Sequence, residues 1–329
     1  MEKTAVLVRP VSIGRKAINI FLKYGIYLVF VILCVGVAIA SPVFLTVQNL
    51  SNVLLQTSTV GIIAVGMTFV IIARGIDVSV GAIVALSSAV AVTAMKVDNQ
   101  PWWMGLILIF AVALAVGLAN GLSSAYLRMP PFLVTLATMT VARGMVLSIS
   151  QGQNYWGLPD FYPNLGLGTV GPLSIPVVIM LLSFVAGHFL LSNTVFGRKV
   201  YAVGGNPDAA RVSGINVDRI IMMTFVIVGL FCGLASLVLT ARLNSFTPSM
   251  GTGFEFSAIA AVVIGGTSLA GGEGNIGGTL IGVLIMGVIN NALNLLGVSV
   301  YMQDIIRGAI IFLAVMIDAL RNRYAQNLD

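Results

Sequence analysis

Apolar runs of about 17–25 residues recur along the whole chain, and each can cross about 30 Å of hydrocarbon as a helix. They fall near residues 24–41, 51–73, 77–97, 102–126, 131–150, 173–191, 220–240, 255–270, 274–296 and 301–319. The runs are continuous rather than alternating, which argues against a β-barrel. The expected fold is therefore all-α, a polytopic membrane protein of about ten transmembrane helices. Only 9% of the 329 residues are charged, whereas a soluble domain carries about 25%. The 36 glycines point in this setting to close helix–helix contact.

Charge sets the orientation. With the N-terminus inside, thirteen of the seventeen Lys and Arg residues fall on the inner side. Lys96 and Arg242 fall outside, and Arg143 and Arg307 fall within spans. The positive-inside rule then places both termini in the cytoplasm and requires an even number of spans. Residues 1–23 and 320–329 become cytoplasmic tails around a membrane region, 24–319, whose largest inner loop is 192–219. This asymmetry accounts for the net charge of +6 without nucleic acid. Residues 255–296 admit two readings, two full spans or re-entrant halves. Ala38-Ile39-Ala40 resembles a signal-peptidase site, but the apolar run before it is too long for a usual leader, so the segment is expected to stay as a span. Trp156, Phe161 and Tyr162, in the long outer loop, are expected at the outer interface.

The inner loop is the sharpest interruption. Six charges lie between Arg198 and Arg219. Within it, "YAVGGNPDAARVSGI" carries the punctuation of one short helix. Asn206 suits the N-cap, Pro207 the first helical position and Asp208 the positive end of the dipole. Gly214 suits the left-handed residue that ends a helix. Ala209, Ala210 and Val212 make a small face beside Arg211. A plain connector between spans is the alternative, but connectors are commonly 2–6 residues long. A capped helix with a smooth face suits docking in a cleft of another protein.

Charged and amide residues inside spans mark cavities or partners. Arg74 and Asp77 flank a break and are expected to pair. Asp304 and Arg307, three apart on a helix, can pair on one face. Arg143 needs a partner that the sequence does not name, and Glu255 and Glu273 flank the eighth span. Asp77, Asn120, Asn290, Asn291 and Asn294 are candidates either for a translocation pathway or for helix cross-links. The order Asp77, Asn120, Arg143-Gly144 is echoed by Glu273, Asn291, Arg307-Gly308. Two five-span halves would be inverted in the bilayer.

No G-x-x-x-x-G-K-[ST] stretch is present, so no usual phosphate-binding loop is expected. "GGTSLAGGEGNIGGT" is glycine-rich but has no lysine. His188 is the only histidine, and no Ser/His/Asp set exists. Cys34 and Cys232 lie in apolar runs and imply neither a disulfide framework nor a metal site. No catalytic residue, metal or bound cofactor is expected in this chain.

"GRKVYAVGGNPDAARVSGINVDR" resembles the cytoplasmic loop of the ribose-type permease family, the membrane subunits of bacterial ABC sugar importers. "SPVFLTVQNLSNVLLQTSTVGIIAVGMTFVIIARGIDVSVGAIVALS", "LANGLSSAYLRMPPFLVTLATMTVARG", "GTGFEFSAIAAVVIGGTSLAGGEGNIGGTLIG" and "NNALNLLGVSVYMQDIIRGAIIFLAVMID" resemble the same family, over about residues 40–320. The resemblance implies an inner-membrane permease subunit, without an ATPase site of its own, that moves a monosaccharide such as ribose. It makes the loop a coupling helix whose contact residues are Gly205, Asn206, Asp208, Ala209, Ala210, Arg211, Gly214 and Ile215. It implies an ATP-consuming ABC ATPase subunit, a periplasmic sugar-binding protein, and a second permease copy or paralogue. An ion-gradient-driven secondary transporter is the rival reading, since it shares broken spans and inverted repeats.

Overall fold

Helix boundaries follow the polar punctuation of the sequence. The computed structural model describes residues 13–159 and 161–326; the expected tail segments 1–12 and 327–329 lie outside them. The first helices are α1 (Ile13–Ala40), α2 (Val47–Ile72), α3 (Val80–Lys96), α4 (Trp102–Ala125) and α5 (Pro131–Ser150). An outer segment follows with β1 (Tyr155–Trp156), α6 (Asn164–Leu167), β2 (Thr169–Val170) and β3 (Leu173–Ser174). Then come α7 (Ile175–Asn193), α8 (Val195–Gly205), α9 (Pro207–Val212) and α10 (Val217–Leu243). The chain ends with β4 (Ser245–Phe246), α11 (Phe254–Ile264), α12 (Ile276–Leu295) and α13 (Val300–Gln326). The strands form only two short antiparallel pairs, β1 with β4 and β2 with β3. Thr46, Thr194, Asn216 and Asn275 each accept a hydrogen bond from a first-turn N–H of the helix they precede, which satisfies donors that a helix start leaves open.

Seven described helices are long and apolar enough to cross a membrane, and Gly25–Ala40, Val80–Lys96 and Phe254–Ile264 are shorter apolar segments. Together they correspond to the ten expected spans of an all-α polytopic membrane protein. The eighth differs from a full span. Helix α11 has 11 residues, about 16 Å at 1.5 Å per residue, and residues 265–275 form a turn-rich segment instead of continuing it. Gly266, Gly271, Gly272 and Gly274 all have positive φ there. Neither of the two readings open for 255–296 is met in full: the half-length α11 is followed by the full-length α12.

Helix α2 forms the centre. Ile62, Met67, Phe69 and Ile72 are fully buried on different sides of it, as in a helix that is apolar all round. Helix α10 lies antiparallel to it: Arg242 near the end of α10 bonds Leu55 O near the start of α2, and Gly66 sits against Val228 at the middle. Gly117 of α4 and Gly229 of α10 bring those backbones together; a Cβ on Gly229 would lie 2.7 Å from Ala113 O. Small residues permit this approach, and van der Waals contact then holds the helices without a hydrophobic drive between them.

The packing repeats itself. Helix α3 packs on α4 and α5 as α11 packs on α12 and α13, and α10 meets α4 as α2 meets α12. Because α2 and α10 run in opposite directions, the two sets are inverted. This arrangement sets the break before α3 against the break before α11.

Tyr162 also departs from expectation. It is fully buried, and its hydroxyl lies 2.7 Å from Thr240 Oγ1. Phe161 and Trp156 stay exposed, and Phe161 packs on Trp102 with ring centroids 4.6 Å apart.

Candidate functional site

The inner loop holds two helices where the sequence suggested one. Thr194 caps α8 through Gly197 N, and Val200 and Val203 bury one side of it. Gly204 and Gly205 are the last residues of this helix. Asn206 joins the two helices. Its Oδ1 accepts from Asp208 N at 3.1 Å and Ala209 N at 3.0 Å. Pro207 occupies the first turn, and Gly214 ends the segment at φ 81°, a conformation that glycine adopts without a Cβ clash. Arg211 lies 3.4 Å from Asp218 and 3.8 Å from Asp208; such exposed pairs contribute little.

The residues expected on the contact face separate. Gly205, Asn206, Asp208, Ala209, Arg211 and Gly214 are exposed, and Ile215 is half-buried. Ala210 is only 4% exposed and packs against the chain itself, three residues after Pro207 on the inner side of a two-turn helix. It is corrected from a contact residue to an anchor. Val212, left out of the expected contact set, is 90% exposed and is an apolar residue at the end of the exposed side of α9.

Four hydrogen bonds tie this loop and the two broken spans together. Arg74 Nε donates to Gly204 O at 2.6 Å, and its Nη2 donates to Gly205 O at 2.7 Å. Gly272 N donates to Ile72 O at 2.9 Å. Tyr201 donates to Gly274 O at 2.7 Å, and burial pushes its phenol above the usual value. The end of α8, the break after α2 and the segment before α12 thus form one bonded cluster. Arg74 was not among the expected site residues. The signal was an arginine-glycine pair after an apolar run, where a left-handed residue (φ 66° here) closes a helix.

The expected Arg74–Asp77 pair does not form, because Arg74 turns toward α8. Asp77 Oδ1 instead accepts from Ser79 N at 2.8 Å and Ser79 Oγ at 2.5 Å. Asn120 Nδ2 donates to Ser79 Oγ at 2.9 Å, and Thr138 donates to Asn120 Oδ1 at 2.6 Å. This chain of bonds joins α3, α4 and α5. Asn291 exchanges amide bonds with Asn49 at 2.8 and 3.0 Å, and both are buried. Asn290 and Asn294 instead line a cavity. Asp304 and Arg307 pair at 2.8 Å. The partner of Arg143 is backbone: its Nη1 donates to Met250 O at 2.8 Å, in the irregular segment before α11. Among the described residues, no group of His, Cys, Asp or Glu is arranged to hold a metal ion, and Cys34 and Cys232 are free thiols.

The family described as "Branched-chain amino acid transport system / permease component" matches residues 49–315. The ribose import permease protein of Bacillus subtilis is 46% identical over 298 residues, 90% of this chain and 92% of that protein. The ribose import permease protein of Escherichia coli strain K12 is 43% identical over 286 residues, covering 86% and 89%. The D-allose transport system permease protein of the same strain is 38% identical over 310 residues, covering 93% and 95%. No solved structure matches the chain.

Proposed function

The chain belongs to the branched-chain amino acid transport system permease family, and from that premise we propose that it is the permease subunit of an ATP-binding-cassette importer for a monosaccharide such as ribose. The carrying observation is α9: a capped two-turn helix with Asp208, Ala209, Arg211 and Val212 exposed, at the end of the bundle that the charge count assigns to the cytoplasm. Such a face suits insertion into a cleft of an ATPase subunit, which would supply the hydrolysis that this chain's sequence lacks the loop for. A periplasmic binding protein would deliver the sugar to the outer segments, and a second permease copy or paralogue would complete the pathway in the inner membrane.

The mechanism follows from the bonded cluster. Closure of the ATPases displaces α9 and, through Asn206, α8. Arg74 holds the last carbonyls of α8, so the displacement reaches the break between α2 and α3. Gly272 and Tyr201 carry it to the segment before α12. Both inverted halves are driven from one contact, and their broken spans are the elements that yield.

Uptake of labelled D-ribose, in cells expressing this chain with its neighbouring ATPase and binding protein, tests the reading. Uptake that survives an uncoupler while ATP is maintained, and stops when the ATPase is inactivated, supports it. Uptake that collapses with the ion gradient at constant ATP contradicts it and favours a secondary transporter.

A further inference from the structure

A cavity of about 330 Å³ lies between α2, α11, α12 and α13, near the small end of the roughly 300–1,000 Å³ range of small-molecule sites. Its polar wall includes Gln56, Ser257, Asn290, Asn294, Gln303 and Arg307, and Val60, Val283 and Met286 form an apolar side. Gln56 lies nine residues into α2, about 14 Å along its axis and so close to half of the 30 Å hydrocarbon layer. A cluster of amides at that depth is costly unless it is satisfied by protein or by a ligand.

Within the protein the cluster is satisfied only in part. Asn294 Oδ1 accepts from Gln303 Nε2 at 3.0 Å, and Asn290 Oδ1 accepts from Arg307 Nη2 at 3.4 Å. Among the described residues, neither Asn290 Nδ2 nor Asn294 Nδ2 has a hydrogen-bond partner. Arg307 Nε is buried without one. These donors stand beside acceptors on the same amides, one turn apart on α12. A ligand that both donates and accepts at neighbouring positions matches them, as a polyol does with each hydroxyl. Arg307 is the only ionisable residue in the wall, and Asp304 pairs with it at 2.8 Å, so the site favours a neutral ligand. The apolar side suits the C–H face of a sugar ring. A second cavity, about 500 Å³, shares Thr252, Gly253 and Arg307 with the first and is lined further by Glu255, Asp304, Gly308 and Ile311.

We propose that this cavity binds one neutral polyhydroxylated molecule, the transported sugar, at a stop inside a single permease subunit. The inference rests on the sugar-import reading above and adds the residues that hold the cargo.

The test uses the full chain assembled with its ATPase in membrane vesicles, carrying Gln56→Cys together with Cys34→Ser and Cys232→Ala. Labelling of the introduced thiol by a small methanethiosulfonate is timed with and without D-ribose or D-allose at about 100 mM. Protection of about threefold, as two-thirds occupancy would give by mass action, supports the site; equal rates with and without both sugars overturn it. In a parallel uptake assay at saturating ribose, Asn290→Leu is expected to lower the maximal rate at least about tenfold with wild-type ATPase recovery. An unchanged maximal rate overturns the site. Wild-type uptake in the same vesicles judges the import reading separately. Uptake without protection overturns the cavity alone, and protection without uptake supports the cavity while counting against import.

Discussion

Arg74 donates to Gly204 O at 2.6 Å across 130 residues of sequence, and so fastens the break after α2 to the end of α8. The carbonyls of Gly204 and Gly205 close that helix and have no donor within it. A guanidinium there also answers the negative end of the helix dipole.

Removing this fastening should separate docking from transport. Arg74→Ala leaves the exposed side of α9 unaltered, so the ATPase subunit should still co-purify, while sugar uptake falls at least about tenfold. Arg74→Lys should give an intermediate rate, because an ammonium lacks the planar fork that reaches two carbonyls together. Uptake at the wild-type rate in Arg74→Ala, by a filter assay with labelled ribose, would show that the contact carries no motion.

The N-cap of α9 should matter in proportion to its two bonds. Asn206→Ala removes the acceptor for Asp208 N and Ala209 N and should weaken the helix by about 1 kcal/mol. This six-residue helix has only its cap and the buried Ala210 to hold it, so ATPase recovery should drop by about fivefold. Quantitative immunoblotting of the purified assembly reads this directly.

Asn49 and Asn291 supply a stability test. Each amide is the buried partner of the other. Asn49→Leu strands the Asn291 amide and takes the donor from Phe44 O, and should cost about 1–3 kcal/mol; Asn291→Leu leaves Asn49 its bond to Phe44 O and should cost less. The double variant, Asn49→Leu with Asn291→Leu, should recover part of the Asn49→Leu loss, because no side-chain amide remains unpaired. Thermal unfolding in nanodiscs, run as a double-mutant cycle, measures the coupling.

Tyr201 gives a pH signature. Burial raises its phenol above the ordinary value, so the neutral form that donates to Gly274 O is the one favoured by folding. The stabilisation is complete below the unfolded pKa of about 10 and is lost as pH rises through the higher folded value. Tyr201→Phe should therefore lower thermal stability by about 1 kcal/mol at neutral pH, and the gap from wild type should shrink only in strongly alkaline buffer. A gap that closes between pH 6 and 8 would contradict this.

Much of the architecture was legible because hydrocarbon leaves a chain few choices. Continuous apolar runs, the Asn206-Pro207 start and the Gly214 stop each carry their own physical reason, and the helix they predict is present. What was not legible depended on tertiary direction. Arg74 and Asp77 are close in sequence, yet the positive φ of Arg74 sends its side chain to α8 while Asp77 turns inward to Ser79. Helix α8 was hidden because "GRKVYAVGG" reads as a polar lead with a glycine pair, and only packing reveals Val200 and Val203 as its buried side. Ala210 and Val212 were both read as part of one small face, yet two positions along a helix turn them to opposite sides, one inside and the other outside. The apolar run at 255–270 continues past the point where Gly265 and Gly266 end α11, so composition alone overran the helix.

The most direct test of the account is recovery of an ABC ATPase with the tagged chain from native membranes, compared with Val212→Asp. Val212 is 90% exposed, so this substitution leaves the fold alone and places a charge on the exposed side of α9. Ala210→Arg, which forces a cation into a buried site, serves as the misfolding control. The account predicts an ATPase with the wild type, recovery reduced at least about tenfold with Val212→Asp, and normal membrane insertion of that variant. Equal recovery with both, or no ATPase from membranes that actively take up sugar, would contradict the coupling role of α9.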